Sequence, residues 1–302
     1  MRKLVHLVVL LVIGGVCFLY RDGIVRTIVD TCFSPKGETI EIAYNDYFQE
    51  KEYAFVQTTD QFKPQNQQDL INIYYTILNS GVDQFTFYCP TSYATCLDDV
   101  NRISEDQTLL SSVNNFVAVY NGFQNIETEF DTLGRVQVSV TRNYTDYEIA
   151  ELEKVVDQII QENITDDMTM ETKIKTIHDY IINHTVYDKN RSDKKVKKYQ
   201  SDTAYGALIE HYAICGGYSD SMKLFLDRFG VENYKVASEN HIWNLVKLDD
   251  EWLHLDLTWD DPITNTGQDV LEYDYFLITT EELFALNTDQ HFFDTTIYME
   301  AK

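Results

Sequence analysis

Three residues of this chain, Cys215, His241 and Asp256, have the types and the order that acyl transfer by a cysteine nucleophile requires. A thiol becomes a good nucleophile only when it loses its proton. A neighbouring imidazole takes up that proton, and a carboxylate orients the imidazole and stabilises its charged form. The segments that hold the three residues read YAICGGY (212–218), HIWNLVKL (241–248) and EWLHLDLTWDDP (251–262). The elements that carry these segments must bring the three side chains together.

The residues after Cys215 predict a helix that begins at the thiol. Apolar side chains recur there at helical spacing, and Gly230 is placed to end the helix. Unpaired backbone N–H groups and the helix dipole at the N-terminus favour a thiolate. Gly216 and Gly217 predict a compact entry turn that lets a substrate approach the backbone. A lone cysteine is more often a small buried hydrophobe, but the Gly-Gly step and the distant His and Asp weaken that alternative.

A β-hairpin is predicted for the segments that hold His241 and Asp256. Both are β-prone, and Asp249-Asp250 between them is typical of a turn. If these two residues form the loop, Trp243 faces Asp256, and His241, two residues away, emerges on the same face. A three-residue loop would place the two side chains on opposite faces. Taken alone, His241 also fits a surface histidine at a strand end, whereas Asp256 between two leucines requires a partner if it is buried.

The three motifs together resemble the core of the transglutaminase-like superfamily, especially its bacterial members. Those proteins carry a Cys-Gly-Tyr type turn, a His-Ala-Trp-Asn type strand and a Trp-x-His-x-Asp-x-Thr-Trp-Asp-Asp-Pro type strand and turn. This chain has Ile242 where Ala is common and Gly216 where an acidic residue or Gln is common. The resemblance covers residues 145–290 and implies a papain-like α+β core.

In that resemblance Cys215 is the nucleophile, His241 the base and Asp256 the group that orients it. The superfamily includes protein cross-linking enzymes, peptidases, peptide N-glycanases and, more distantly, arylamine N-acetyltransferases. It also includes members that have lost catalysis, so the resemblance implies a fold more firmly than an activity. No metal or organic cofactor is required.

Other residues near these motifs are secondary candidates. Tyr205 is a candidate donor to a developing oxyanion, alongside the backbone N–H of Cys215. Gly216 and Trp243 are candidates to line the cleft. His254 lies on the same strand face as Asp256 and is interpreted as its hydrogen-bonded neighbour. A metal site built from Cys215, His241, His254 and Asp256 is conceivable, but no metal site is predicted.

Composition limits the classes of partner. The net charge of −25 argues against nucleic-acid binding, because phosphate would be repelled over most of the surface. Six of the 24 basic residues lie between Lys189 and Lys198. This concentration of positive charge on an acidic chain fits a solvated loop. The functional alternative is contact with an acidic cell-surface polymer, lipid headgroups or an acidic substrate segment.

The N-terminus predicts export and membrane attachment. Leu4–Tyr20 is a run of seventeen mostly apolar residues preceded by Arg2 and Lys3. We interpret it as an uncleaved signal anchor, with a single pass and the C-terminal part extracellular; the alternative is secretion after signal cleavage. In an exported protein Cys89 and Cys96 could form a disulfide, unless a helix over 91–100 keeps them apart.

The remaining patterns divide the chain into four parts: a signal anchor (1–22), a juxtamembrane stalk (23–40), a small α/β accessory domain (41–142) and a transglutaminase-like catalytic domain (143–302). In the accessory domain we predict strands over 53–58 and 84–88, a helix over 70–78, and a hairpin of 125–130 with 135–141. The catalytic domain opens with two helices, and His178 and His184 on the second are interpreted as surface or helix-end residues. The predicted fold class is α+β, with the Cys helix packed on an antiparallel sheet.

These patterns favour an exported, membrane-anchored cysteine acyl-transfer enzyme. It would act on amides of a peptide or protein substrate through a thioester, which water hydrolyses or an amine converts to a cross-link, with a slight preference for hydrolysis. The alternative is a catalytically silent cell-surface binding or scaffold module with the same fold. The intact triad favours the enzyme, since inactive relatives often lose the Cys or the His.

Overall fold

The computed structural model of the protein describes residues 14–16, 18, 20–21, 23–24, 41–262, 270–286 and 288–301. The predicted signal anchor (1–22) and stalk (23–40) fall largely outside these residues. Within the described ranges, no helix has both the length and the apolar character needed to cross a membrane. The account below therefore begins at residue 41.

The described residues form eight helices and nine strands, and all strand pairs are antiparallel except the short pair of Val186–Tyr187 with Tyr212–Ala213, which is parallel. The helices are α1 (Gln67–Ser80), α2 (Cys96–Glu105), α3 (Gln107–Asn114), α4 (Asp146–Asn163), α5 (Met170–His184), α6 (Lys189–Lys194), α7 (Cys215–Arg228) and α8 (Thr280–Ala285). The strands are β1 (Gln84–Tyr88), β2 (Phe123–Phe130), β3 (Arg135–Arg142), β4 (Val186–Tyr187), β5 (Tyr212–Ala213), β6 (Asn233–Ala237), β7 (Ile242–Leu248), β8 (Glu251–Leu255) and β9 (Phe276–Ile278). A π-type turn spans Gly206–Glu210, and 3₁₀ turns span Val119–Asn121 and Asp289–His291.

The region 41–142 forms a three-stranded antiparallel sheet in the order β1-β3-β2, covered by α1 to α3. The predicted hairpin, the strand at 84–88 and the helix are confirmed. The side chain of Asn66 accepts from the N–H of Asp69 and starts α1, and Gly81 ends it with φ 81°. The strand predicted over 53–58 is wrong. Its Tyr53 and Val56 are buried, but the backbone there is irregular, so their apolar character reflects core packing.

Cys89 and Cys96 are joined by a disulfide. The helix that the sequence suggested between them begins only at Cys96, so the chain from Pro90 to Thr95 is free to turn and bring the thiols together. Both cysteines are buried among the side chains of the accessory region.

A second antiparallel sheet, in the order β6-β7-β8-β9, carries the sequence motifs of interest. Asp249 and Asp250 form a two-residue loop between β7 and β8, both with positive φ (48° and 65°), as a turn that matches the strand twist requires. Leu248 therefore pairs with Glu251, and Asn244 with Leu255. The predicted register is confirmed.

The second sheet separates two apolar cores. On one face Tyr234, Val236, Trp243 and Leu245 pack with the accessory region, and the same core includes Tyr298 near the C-terminus. On the other face Val246 and Leu255 pack with α4, α5 and the Cys215 helix α7. The architecture is thus mixed α and β with two antiparallel sheets and a short parallel pair, β4-β5, and the Cys helix packs on the second antiparallel sheet as predicted.

Candidate active site

Cys215 is the first residue of α7. Ile214 before it is extended, and its backbone N–H donates to the carbonyl of Ser201 at 2.9 Å. This bond fixes the point at which the chain enters the helix. Cys215 is half-buried, and it is the free cysteine among the described residues. A half-buried thiol at a helix N-terminus is accessible to a substrate and lies at the positive end of the helix dipole.

Gly216 and Gly217 are required by the protein's own packing. A Cβ at Gly216 would lie 2.7 Å from the carbonyl oxygen of Asp202, and one at Gly217 would lie 2.5 Å from that of Ser201. The two glycines let the start of α7 pack directly against the turn at residues 201–203. The sequence interpretation assigned this close approach to a substrate, whereas the structure shows the chain's own backbone there.

His241 and Asp256 are brought together by the β7–β8 hairpin. Nε2 of His241 lies 2.5 Å from Oδ2 of Asp256, and both side chains are buried. The second carboxylate oxygen accepts the backbone N–H groups of Thr258 and Trp259 at 2.9 and 3.3 Å. The carboxylate is therefore held by the turn that follows it, and it in turn fixes the ring of His241.

The electrostatics of this pair favour charge on both partners. Burial lowers the pKa of His241, but the charge of Asp256, the hydrogen bond to it, and then the hydrogen bond and charge of Cys215 outweigh burial and raise it to about 10. Burial raises the pKa of Asp256, but the charge and hydrogen bond of His241 hold it below its usual range. Because Nε2 of His241 faces Asp256, Nδ1 is the ring nitrogen that remains to interact with Cys215.

His291 is a third partner in this cluster that sequence reasoning missed. Its Nε2 lies 2.9 Å from the same Oδ2 of Asp256, and its Nδ1 lies 2.5 Å from Oγ1 of Thr288. The ring is 1% exposed and stacks on Tyr275. No local pattern places it there, because it follows Asp256 by 35 residues and belongs to a 3₁₀ turn near the C-terminus. The sequence signal is only a histidine within an aromatic stretch.

His241, Asp256 and His291 are also the described residues whose ligand atoms are close enough together to suggest a metal site. Two ligand atoms on a tetrahedral zinc ion are separated by about 3.3 Å. The observed N···O distances of 2.5 and 2.9 Å are shorter than that, and both nitrogens are directed at one oxygen. Two hydrogen bonds to a shared carboxylate oxygen account for this geometry better than a shared ion.

Trp243 packs against one face of the His241 ring. The two rings are 5.5 Å apart and nearly parallel, and Trp243 is buried. Its Nε1 donates to Nδ1 of His254 at 2.9 Å, and Nε2 of His254 bonds Oγ1 of Thr280 at 3.0 Å. Burial, and then neighbouring His291, lowers the pKa of His254 to about 3. His254 is thus a neutral partner of Trp243, and Trp243 packs under the site with its N–H engaged.

Two other histidine and tyrosine predictions change in the structure. The hydroxyl of Tyr205 donates to Glu151 on α4 at 2.7 Å, so its proton is not free for an oxyanion. His178 is fully buried, against the prediction of a surface residue. Its Nε2 lies 3.1 Å from Asp260, whose other carboxylate oxygen accepts from the N–H of Tyr275 at 2.9 Å. His178 thereby fixes the turn that follows Asp256.

No family model and no curated protein matches the sequence. Solved structures similar to the chain include one described as "a TGase", with 18% identity, a TM-score of 0.34, and coverage of 45% of this chain and 44% of that one. Another is described as a "Putative Cysteine Protease" from Cytophaga hutchinsonii, with 11% identity, a TM-score of 0.28, and coverage of 49% and 65%. The chain thus spans less than two thirds of either structure.

Proposed function

We propose that the protein is a cysteine acyl-transfer enzyme acting on amides of a peptide or protein substrate. The observation that carries the proposal is the ring of His241, which bonds Asp256 through Nε2 at 2.5 Å and interacts with Cys215 on its other side. A raised His241 pKa means that the ring is a cation at neutral pH. The cation stabilises a thiolate beside it, which is the form of cysteine that attacks carbonyl carbon.

In the first half of the reaction the Cys215 thiolate attacks the amide carbonyl carbon, and the C=O π electrons move to oxygen. As the tetrahedral intermediate collapses, the C–N bond breaks and His241 gives its Nδ1 proton to the leaving amine. A thioester on Cys215 remains, and His241 is neutral. Asp256 keeps the ring in place and stabilises its charged form before this transfer.

In the second half a nucleophile attacks the thioester, and neutral His241 takes up its proton. Water gives a carboxylic acid, and an amine gives a new amide that cross-links two chains. Both routes break the C–S bond and return the thiolate–imidazolium pair. We favour hydrolysis, in agreement with the preference stated in the sequence analysis. Cross-linking is the other outcome of the same chemistry.

The developing oxyanion needs a donor other than Tyr205 or Trp243, because both of their polar hydrogens are engaged. The backbone N–H of Cys215 itself is a suitable donor. It is at the N-terminus of α7, where the first N–H groups have no partner within the helix. The hydrogen bond from the N–H of Ile214 to the carbonyl of Ser201 fixes the start of the helix and keeps this donor in place.

His291 acts as a positioning residue in this proposal. Because Oδ2 of Asp256 accepts from both imidazoles, rotation of the carboxylate would break the bond to His291 as well as the bond to His241 and the backbone bonds to Oδ1. The C-terminal segment is thus tied to the orientation of His241. A carboxylate restrained in this way holds the ring within the narrow angular range that proton transfer requires.

The proposal includes export, with residues 1–22 as anchor and the catalytic domain outside the cell. The Cys89–Cys96 disulfide supports it, because such bonds persist in oxidising compartments. Protease treatment of intact cells checks this point. Digestion of the C-terminal domain without lysis is expected, and full protection would contradict export.

The catalytic proposal is tested by alkylating the full-length protein with iodoacetamide at pH 6.5 and locating the label by mass spectrometry. We expect Cys215 to react rapidly, and His241→Ala to slow it by roughly a hundredfold. His184→Ala is the matched control, because His184 is an exposed histidine at the end of α5 and should leave the rate unchanged. A Cys215 that is inert, or indifferent to His241, would favour the binding module.

A further inference from the structure

The segment 189–198, called here the basic segment, is an exposed concentration of positive charge on an acidic protein. It comprises α6 and the four residues after it. Lys189, Lys194, Lys195, Lys197 and Lys198 are all exposed. Arg191 is paired with Asp202 at 2.6 Å, but among the ion pairs of the described residues none involves the five lysines. Asp193 is the acidic residue within the segment, and Asp188, which lies just before α6, also acts electrostatically on Lys198.

Both ends of the basic segment are fixed to the chain that leads into Cys215. Before it, β4 pairs with β5, and the N–H of Asp188 donates to the carbonyl of Ala213 at 2.7 Å. After it, the ring of Tyr199 stacks on that of Tyr212 at 4.0 Å between centroids, with planes 2° apart. Both ends of the basic segment therefore contact Tyr212 or Ala213, which precede the nucleophile Cys215 by two or three residues.

The neighbourhood of Cys215 extends to the base of this segment. Burial raises the pKa of Tyr187, its hydrogen bond to Ser192 lowers it, and the charge of Cys215 contributes to the rise, so Tyr187 lies within electrostatic range of Cys215. The hydroxyl of Tyr187 donates to Ser192 on α6 at 3.2 Å. A ligand that reaches the thiol from this side thus passes the only strongly positive segment that the sequence contains, on a chain with net charge −25.

We propose that the basic segment binds acidic side chains of the peptide substrate next to the amide that Cys215 attacks. This inference rests on the proposed function and names its substrate class. On a surface that otherwise repels anions, a local positive field concentrates an acidic ligand at one place. The fixed position beside the nucleophile favours a substrate peptide over an anionic polymer or lipid surface, which would need no nearby thiol.

Binding is measured with a fluorescein-labelled hexaglutamate peptide and the full-length Cys215→Ala variant, by anisotropy at low salt. We expect saturable binding that salt weakens, and a hexaserine peptide should not bind. Lys194→Glu with Lys195→Glu should weaken hexaglutamate binding by about tenfold or more. Lys63→Glu with Lys154→Glu makes the same change in net charge on exposed lysines outside the segment and is the matched control.

Equal weakening of hexaglutamate binding in the two double variants, or no binding to the parent protein, overturns the proposal. Tight binding of polyphosphate without hexaglutamate binding assigns the segment to an anionic polymer instead.

Proximity to the reactive centre is measured with Cys215 intact. The ratio of its alkylation rates with anionic iodoacetate and neutral iodoacetamide reports the local potential at the thiol. We expect the Lys194/Lys195 charge reversal to lower this ratio by about threefold at low salt, and the Lys63/Lys154 reversal to leave it unchanged. An unchanged ratio in both variants overturns the placement beside the cleft. If Cys215 reacts with neither reagent, the proposed catalytic function is refuted. The anisotropy experiment would still decide whether the basic segment binds an acidic peptide.

Discussion

Replacing Asp256 with Asn removes the negative charge that keeps His241 protonated. The substitution is nearly isosteric, and the side-chain oxygen of Asn can still accept the N–H groups of Thr258 and Trp259 as Oδ1 of Asp256 does. The turn should therefore persist. The amide nitrogen would then face Nε2 of both His241 and His291, where the carboxylate oxygen accepts two bonds in the native protein. The variant isolates the charge and hydrogen bond from the backbone structure.

The size of the effect follows from the His241 pKa of about 10, against an ordinary value of 6.5. At about 1.4 kcal/mol for each pKa unit, the folded protein favours the imidazolium by roughly 5 kcal/mol. Because the folded pKa is raised, this contribution to stability is complete below pH 6.5 and is lost as the pH rises toward 10. Without the carboxylate, the largest effect that raises the His241 pKa is lost, while burial still lowers this pKa. We therefore expect the His241 pKa to fall to 6.5 or below.

The assay is a histidine NMR titration of isotope-labelled protein between pH 5 and 10.5. The His241 signal is assigned by its loss in His241→Gln, and the chain has only seven histidines to resolve. Urea unfolding at pH 7 and 9.5 gives the matching stability. The wild type should lose several kcal/mol between these pH values through this group, and Asp256→Asn should lose much less. Asp294→Asn, which removes an exposed carboxylate three residues from His291, is the control. A His241 that still titrates near pH 10 in Asp256→Asn would refute the electrostatic account.

Three further predictions concern the supports of the site. His291→Leu should slow alkylation of Cys215 at pH 6.5 several-fold, and His291→Gln, which keeps a donor near Nε2, should restore the rate. Equal rates in the two variants would leave His291 with a packing role alone. Gly217→Ala should destabilise the protein by about 2 kcal/mol in urea unfolding, because its Cβ would lie 2.5 Å from a backbone oxygen, and unchanged stability would contradict that packing. Reduction of Cys89–Cys96, which closes a short loop, should cost about 2 kcal/mol, as measured by thermal unfolding with and without reductant; an unshifted midpoint would contradict it.

Local sequence rules were sufficient for the hairpin that carries two of the three proposed catalytic residues. Asp249 and Asp250 tolerate positive φ better than most residues, so a two-residue loop was the natural connection, and the loop length fixed the register. Since side chains alternate along a strand, the register placed His241 and Asp256 on one face. The helix after Cys215 followed in the same way from apolar residues at helical spacing.

Local rules failed where a residue's environment comes from distant parts of the chain. The apolar residues at 53–58 are buried without forming a strand, because a core can take apolar side chains from irregular backbone. Tyr205 was placed near the thiol by its proximity in sequence, but its hydroxyl reaches Glu151 on α4. His178 was expected at the surface because nothing in its own helix indicates that Asp260 faces it.

The sequence by itself determined the proposed nucleophile, base and orienting carboxylate, because each belongs to a short motif whose local geometry is governed by helix or hairpin rules. Only the tertiary structure decided that Asp256 accepts hydrogen bonds from two imidazoles and that the Gly-Gly step accommodates the turn at 201–203. It also decided that the residues flanking the basic segment contact Tyr212 and Ala213, just before Cys215. The physical reason is the range of the interactions. Turns and helices depend on neighbours in sequence, whereas buried hydrogen bonds and backbone contacts form between segments that only the folded chain brings together.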